Sequence, residues 1–392
     1  MRIMMFSHGY LPTLSGVTLV VQKIARAMVQ RGHEVTVVTA SDKHMPYQSE
    51  DQGVCLQRVL GIPNPFWWEG PFPYISPSAI RRLADEYKPN VIHIHENALL
   101  SNLLLRVRWD KRPAFISSCY SLPSYITQYL HLGGLESWFE GLLWKITIGN
   151  LNHFEHVVFC THTHERDFLA HGLRPPTTVI SNGVNIQRYR PEKEPGEDIE
   201  TRYHLPPAPR ILSVGRLMKD KKLDMLIQAM RFVCDEQEAH LVVVGRGSER
   251  PRLKALIQRL KLEPYIHLLG YVPEEDLPGL YRACDLFAIP SLVEVQSLPA
   301  LQAAVTGLPI VAANSAALPE LVRNGENGLL VDPCYGPELG SAIQTILSHP
   351  TEMRRMGQVS LEIGREHDEQ LTFQAYDNFY RGLVGKSNPV TE

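Results

Sequence analysis

The strongest constraint on this chain is an order of short apolar runs and amphipathic helical patterns that is set down twice, once in residues 1–190 and again, more regularly, from residue 210. Residues 3–6 read as a strand. A polar loop at 7–16 leads to a helical pattern at 17–30 with Val20, Val21, Ile24, Ala27 and Met28 on one side, and Arg31-Gly32 ends it before the Val-rich run 34–39. That is a βαβ unit at the very start. Residues 79–87 read as a helix closed by Pro89, 91–95 as a buried strand, and 114–117 and 156–160 as further strands. The second series places strands at 210–214, 240–244, 266–269, 286–289, 310–313 and 328–331, with helices at 223–233, 249–260, 277–284 and 298–306. Strands alternating with helices of this length predict parallel sheets covered on both faces. Two such domains place a ligand cleft between the carboxyl ends of their strands.

Between the two series, residues 188–209 carry Pro191, Pro195, Pro206, Pro207 and Pro209 among charges, without apolar periodicity. That composition predicts a linker. The expected domains are therefore 1–190 and 210–365, joined by 191–209, and a length of 392 residues agrees with two domains at roughly 150 residues each. A hydrophobic fraction of 44% with 21% charged residues excludes disorder as the main state. The net charge of -3 gives no general attraction for nucleic acid. It hides an asymmetry: residues 1–190 hold 18 basic and 14 acidic side chains, the remainder 21 and 28, and all five Trp lie in the first half. Six Cys without a C-x-x-C pair exclude a zinc ribbon and read as free thiols in a reducing cytosol. The run 3–6 is shorter than the ~7–15 apolar residues of a secretory signal, and no stretch approaches the ~18 of a membrane span. A membrane role would be exercised from the surface.

Three loops present phosphate-binding chemistry. Gly9 and Gly16 do not make G-x-G-x-x-G, and no P-loop motif occurs, so a dinucleotide dehydrogenase and a P-loop ATPase both lose ground. Gly16 nevertheless stands where the first helix begins, either as a turn residue or as an amide that an anion can approach without side-chain obstruction. Gly215-Arg216-Leu217 with Lys219, Lys221 and Lys222 ends a strand and opens a helix. Lysines there oppose the helix dipole, which either a bound phosphate or a solvated basic loop would explain. In the segment 290–311 a loop carrying Glu294 precedes a helix starting near Leu298, and Gly307-Leu308-Pro309 leads into the next strand. A carboxylate that accepts from hydroxyls beside helix-start amides that hold an anion suits a sugar joined to a diphosphate. Glu294 as a helix N-terminal carboxylate is the alternative.

With these residues in place, the chain resembles the large family 4 of retaining glycosyltransferases with the GT-B fold, closest in flavour to bacterial diacylglycerol and glycolipid glycosyltransferases. The motifs are Gly215-Arg216-Leu217 with Lys221, Val244-Gly245-Arg246-Gly247, the segment from Pro290 to Val311, Asn182-Gly183-Val184-Asn185 and Asn327-Gly328-Leu329-Leu330-Val331. The resemblance implies an α/β fold of two Rossmann-like, doubly wound parallel-sheet domains facing each other across a cleft, with a last helix, 366–392, crossing back to the first. It implies that Arg216 and Lys221 clamp the donor diphosphate, that Glu294 contacts the transferred sugar, that the Ser297-Leu298 amides hold phosphate, and that Gly16 admits the same diphosphate. No metal or other cofactor is implied, since the cations and the helix dipole offset the leaving-group charge. Three positions depart from the family pattern. Gln302 stands for the second Glu, which contacts the ribose; Val295-Gln296-Ser297 stands for Gly-Phe-Gly; and Tyr120 stands for a His that contacts the transferred sugar.

In this fold acceptors bind the N-terminal domain, so Tyr120 and His95 are the acceptor-side candidates, although for His93 and His95, on one face of a strand, a satisfied structural histidine is favoured over an acceptor contact. The aromatic loop with Phe66, Trp67, Trp68, Phe72 and Tyr74 lies in that half, as does an apolar helical stretch, residues 129–148, with Leu135, Trp138, Phe139, Leu142, Leu143, Trp144 and Ile146. Helical spacing favours a core role for that stretch over peripheral membrane contact. Arg81, Arg82, Arg106, Arg108, Lys111 and Arg112 read as a solvated basic face. Thr161 is expected to cap a helix, and His162 and His164, two apart, do not share a helical face, which argues against metal. The expected activity is transfer of a hexose from a nucleotide diphosphate sugar of the UDP-glucose or GDP-mannose type to a lipid or saccharide acceptor. A relative that binds nucleotide sugar or lipid with little turnover, motivated by Tyr120 and Gln302, is the competing expectation.

Overall fold

The computed structural model describes residues 1–13, 15–43, 45–62, 70–95, 99–110, 112–127, 134–192, 198–332 and 334–387. Phe66, Trp67 and Trp68 of the aromatic loop, Lys111, Pro195 and the stretch 129–133 lie outside them. The chain divides into two units. One comprises Met1–Ser181 with the segment from Thr372 on, the other Asn182–Leu371.

The first unit holds β1 (Arg2–Phe6), β2 (Glu34–Ala40), β3 (Tyr47–Asp51), β4 (Val54–Ile62), β5 (Phe72–Tyr74), β6 (Val91–Ile94), β7 (Ala114–Ser118), β8 (His156–Phe159) and β9 (Thr177–Val179). Their order is β3-β4-β2-β1-β6-β7-β8-β9, with β5 paired to β4. The sheet is parallel except at one edge, where β3 and β5 both run antiparallel to β4. In the second unit β10 (Arg210–Val214), β11 (His240–Val244), β12 (Ile266–Gly270), β13 (Leu286–Ile289), β14 (Ile310–Ala313) and β15 (Gly328–Val331) form an all-parallel sheet ordered β12-β11-β10-β13-β14-β15. Each sheet therefore reverses its winding once, between β1 and β6 in the first unit and between β10 and β13 in the second. Loops that leave the carboxyl ends of strands at such a switch point diverge, and the space between them is where open α/β sheets bind ligands.

The apolar runs in the strands are continuous because both faces of each sheet are covered. Along β11, Val242 and Val244 join Leu212, Phe287 and Ile310 in one buried cluster. Leu241 and Val243 join Ile211, Leu286 and Val311 in another. The period of two is thus present in which side of the sheet each residue packs, and hidden from the composition.

Two expectations need correction. The Pro-rich break is not a free linker over its described length. Ile199, in the short helix Ile199–Arg202, is buried with Tyr189 in the second unit's core, Tyr203 donates to Asp276 at 2.6 Å and Arg202 pairs with the same carboxylate at 2.5 Å. The division falls at Ser181/Asn182, and the Val184 N–H donates to the His367 carbonyl at 2.8 Å within the second unit. One buried Ile in a four-residue helix leaves no periodic signal, which is why composition points to a linker. The aromatic helix, Glu136–Leu151, is only partly core. It buries Trp144, Ile148 and Leu151 while Leu135, Trp138, Leu142 and Ile146 are 61%, 68%, 37% and 45% exposed. With apolar residues on both faces, spacing does not distinguish the inner face from the outer.

Candidate functional site

In the second unit the two loops that flank the switch point carry the predicted donor residues. The chain leaves β10 through Gly215 and Arg216 and makes a short turn at Lys219–Lys221 before the helix Leu223–Glu236. It leaves β13 at Pro290 and reaches the helix Leu298–Val305 through Glu294. The loops meet side chain to side chain. Lys221 Nζ lies 2.7 Å from Glu294 Oε1 and also donates to the Val293 carbonyl at 3.2 Å and to Ser291 Oγ at 3.4 Å. Asp220, almost fully buried, adds a second carboxylate 3.3 Å from the same ammonium. Lys221 is thus no part of a solvated loop, and Glu294 is not a helix cap, because its partner is the lysine. Capping falls to Ser297, whose Oγ accepts from the Ala300 N–H at 3.3 Å. Pro299 has no N–H to offer, so the amides left for an anion at this helix start are those of Ser297 and Leu298.

Backbone contacts hold the Glu294 loop in place. The Leu292 N–H donates to the Asp220 carbonyl at 2.9 Å, and beyond β14 the Ser315 hydroxyl donates to the Leu292 carbonyl at 3.0 Å and the Ala317 N–H to the Glu294 carbonyl at 3.2 Å. Behind the Arg216 loop the turn after β11 is packed backbone on backbone. A Cβ on Gly245, whose φ is +139°, would stand 1.8 Å from the Gly215 carbonyl oxygen, and one on Gly247 2.2 Å from that of Leu217. Only glycine permits those approaches. Arg216 itself is exposed at the tip of its loop. Gln302 lies one turn further into the helix, and its Oε1 accepts from the buried Tyr281 hydroxyl at 3.0 Å.

The other candidates belong to the first unit, again beside the switch point. Gly16 opens the helix Gly16–Gln30 after Ser15, whose hydroxyl accepts from the Thr18 N–H at 3.2 Å while Thr18 Oγ1 accepts from the Ser15 N–H at 2.7 Å. A Cβ on Gly16 would meet nothing within 4 Å, so the fold does not itself require a glycine there. His95 follows β6 and Tyr120 follows β7. The Tyr120 hydroxyl lies 3.0 Å from His95 Nδ1, with the rings stacked at 12°. Burial holds the His95 imidazole neutral, its pKa pushed down to about 3, and raises the Tyr120 phenol well above its usual range. Next to them His93 is bonded on both sides, at 2.6 Å to the Tyr380 hydroxyl and at 2.8 Å to Ser118 Oγ, which lies 3.4 Å from the Tyr376 hydroxyl. His93 is therefore a satisfied core histidine.

The predicted residues thus fall into two groups. Lys221, Glu294, Ser297 and Leu298 come together in the second unit with Arg216 on the same loop, and His95 and Tyr120 come together in the first. Sequence reasoning passed over Asp220 and Ser291 around the ammonium, and Ser118, Tyr376 and Tyr380 around the histidines. The tyrosines lie 258 and 287 residues along the chain from the side chains they meet, so no local pattern could have found them. Thr161 caps its helix as expected, accepting from the His164 N–H at 3.4 Å. Among the described residues no group of three His, Cys, Asp or Glu stands close enough to hold a metal.

Two α/β units, each with one switch point, and an ammonium–carboxylate pair beside a capped helix start are the marks of a glycosyltransferase of the GT-B fold. Residues 200–361 match the glycosyl transferases group 1 and residues 14–188 match glycosyltransferase family 4. The chain belongs to this family, and it is an enzyme of that class. It is similar to the alpha-monoglucosyldiacylglycerol synthase of Acholeplasma laidlawii, with 24% identity over 99% of this chain and 98% of that protein. Its fold is similar to that of the sucrose-phosphate synthase of Thermosynechococcus elongatus, with a TM-score of 0.82 and 21% identity over 98% of this chain and 99% of the other. It is also similar to that of Anabaena HepE in complex with UDP-glucose, with a TM-score of 0.77 and 20% identity over 97% and 99%.

Proposed function

We propose that the protein transfers a hexose, with retention of anomeric configuration, from a nucleotide diphosphate sugar of the UDP-glucose or GDP-mannose type to a lipid or saccharide acceptor, without a metal. The observation that carries this reading is the Lys221–Glu294 pair, 2.7 Å apart and largely buried beside the Ser297 helix start. Glu294 accepts from hydroxyls of the transferred sugar. Lys221, Arg216 and the Ser297 and Leu298 amides face the diphosphate and stabilise the negative charge it gains as the glycosidic C–O bond breaks. The acceptor hydroxyl attacks the anomeric carbon from the face the diphosphate leaves, and a phosphate oxygen takes its proton, so the protein works by positioning and electrostatics. Tyr120, kept protonated by burial, takes the place of the family's histidine as a neutral hydrogen-bonding group, and His95 holds its hydroxyl. Gln302 offers an amide to the ribose where a carboxylate is usual.

The similarity to a diacylglycerol glycolipid synthase favours a lipid acceptor. The exposed Trp138 face of the aromatic helix supports peripheral contact at the inner face of the cell membrane, since no described helix is long and apolar enough to cross one. Incubating the purified protein with radiolabelled UDP-glucose or GDP-mannose and a membrane lipid extract tests the reading. Label in a lipid or saccharide product is expected, and Glu294→Ala is expected to lower transfer by at least ~100-fold, the scale of a lost transition-state contact. Normal turnover by that variant would refute the placement of the donor sugar. Tyr120 and Gln302 also suit a relative that binds nucleotide sugar with little turnover. Bound donor without transferred label across the panel would establish that second reading.

A further inference from the structure

Gln302, the residue that meets the donor's ribose in the function proposed above, is bonded differently from its neighbours in the site. Lys221 and Glu294 have charged partners, whereas among the described residues the Gln302 amide has a phenol as its only partner. That phenol, Tyr281, is fully buried. Its ring meets Tyr189 edge-on, with centroids 5.7 Å apart and planes at 79°, and lies 5.8 Å from Phe287. Burial raises its pKa well above the usual range, so the hydroxyl keeps its proton and needs an acceptor. Two are in reach, the Pro299 carbonyl at 3.1 Å and Gln302 Oε1 at 3.0 Å. Turned over, the amide would donate to the phenol and leave the phenol's proton to Pro299. In both arrangements one end of the amide is spent on Tyr281 and one end is left.

The backbone of Gln302 is tied to the same wall. The Thr306 hydroxyl lies 2.8 Å from the Gln302 carbonyl and 3.1 Å from that of Tyr189. The Gln302 side chain is half-exposed, and its free end is open to water. A carboxylate in its place would accept ribose hydroxyls through charge-assisted bonds, roughly twice as strong as neutral ones. A ligand lacking one hydroxyl would then leave a charged acceptor short of a partner, which is how sites built for a hydroxyl reject analogues without it. The amide carries no charge. With one end held by Tyr281, its other end loses a single neutral bond when the hydroxyl is missing, and water replaces it.

We infer that Gln302, anchored by Tyr281, forms a ribose subsite that does not require the 2′-hydroxyl, so that the protein takes 2′-deoxyribonucleoside diphosphate sugars as donors alongside the ribonucleoside ones. The inference rests on the donor-site reading above and deepens it by widening the class of donor. The transfer step is unchanged. The anomeric C–O bond to the diphosphate breaks, a bond from the anomeric carbon to the acceptor oxygen forms, and the 2′-deoxyribonucleoside diphosphate leaves with the acceptor's proton.

Calorimetric titration of the full-length protein with UDP, 2′-deoxy-UDP, GDP and 2′-deoxy-GDP tests this. For whichever base binds, the Kd of the deoxy form is expected to lie within about tenfold of the ribo form, the size of one neutral hydrogen bond. Gln302→Glu is expected to widen that ratio by roughly tenfold or more, and because the added charge weakens both nucleotides alike, the ratio isolates the ribose contact. Gln302→Ala is expected to leave the ratio below about tenfold, since only a neutral contact is lost. In the labelled-transfer assay, the 2′-deoxy form of an accepted donor is expected to keep at least about a tenth of its kcat/KM. A wild-type ratio above about tenfold in binding or transfer, or one that Gln302→Glu leaves where it was, would overturn the inference while the donor site stands. Binding of no nucleotide to the wild type would overturn the donor site with it.

Discussion

The Lys221–Glu294 pair sets the energetics of the site at the scale of single residues. Both side chains are mostly withdrawn from water, at 16% and 13% exposure, so removing Lys221 leaves two poorly solvated carboxylates, Glu294 and Asp220, whereas removing Glu294 leaves the ammonium with Asp220. Lys221→Ala should cost about 2 kcal/mol of stability and Glu294→Ala less, because Asp220 stays beside the ammonium, with the double variant costing less than their sum, as urea unfolding in a double-mutant cycle would show. Additive losses would mean that the pair is not coupled. His95 gives a second, independent signature. Its imidazole titrates at about 3 in the folded chain because burial disfavours the charged form, whereas unfolded it titrates near its ordinary value of 6.5. Below pH 6.5 the unfolded chain takes up a proton that the folded one refuses, so this stability is fully present above 6.5 and is lost as the pH falls toward 3. Between pH 7.5 and pH 5 the loss is about 2 kcal/mol for this group. His95→Asn, though less stable throughout, should show a shallower dependence over that interval, and an unchanged slope would show that His95 is not the group.

Elements explain why some of this was legible in the sequence and some was not. The second unit repeats strand, loop and helix at short range, and each signal is local: β10 to β15 come out within a residue of expectation. The first unit's β3 and β4 carry Gln48, Glu50, Gln57 and Arg58 within their runs, so an edge hairpin looks like polar loop until the sheet pairs it. Charge at a sheet edge is what edges tolerate. Glu294 and Lys221 were visible singly, but their 2.7 Å contact joins loops more than seventy residues apart and depends on the β10–β13 switch. Glycines divide in the same way. Gly245 is fixed by the turn it makes, so Gly245→Ala, which drives a Cβ into the Gly215 carbonyl, should destabilise the second unit by roughly 3 kcal/mol or more. Gly16→Ala meets no atom and should change stability by less than about 0.5 kcal/mol. If Gly16 admits the diphosphate, that variant should still raise KM for the donor several-fold, and wild-type kinetics would return it to being a turn residue.

At the scale of the whole molecule, the two units differ in how their chain is assembled. Asn182–Leu371 is one continuous stretch with its own six-stranded sheet and two buried clusters. The first unit is discontinuous, because the helix Glu369–Ser387 begins in the second unit and supplies the first with its residues from Thr372 on. Those residues are not ornamental. Thr372 Oγ1 donates to the Ser181 carbonyl at 2.9 Å, Asp377 lies 2.7 Å from the buried His33 Nε2, and the Tyr380 and Tyr376 hydroxyls terminate the His93–Ser118 chain beneath Tyr120. Removing the segment would leave His33, His93 and Ser118 without these partners, each costing about 1–3 kcal/mol, and would take away the apolar surface that the buried Phe373, Tyr376 and Tyr380 contribute. That total rivals the stability of a domain. A chain ended after Leu371 should therefore lose the first unit selectively: limited proteolysis should cut within residues 1–181 while 182–371 stays resistant, and hydrogen exchange should show the same division. Because Lys221, Glu294 and the Ser297 helix start all lie within 182–371, the truncated protein should still show a melting shift with a nucleotide sugar while transferring no hexose. Retained transfer would show that the first unit's fold does not depend on the segment that closes it, and loss of both units together would show that the second unit does not stand without the first.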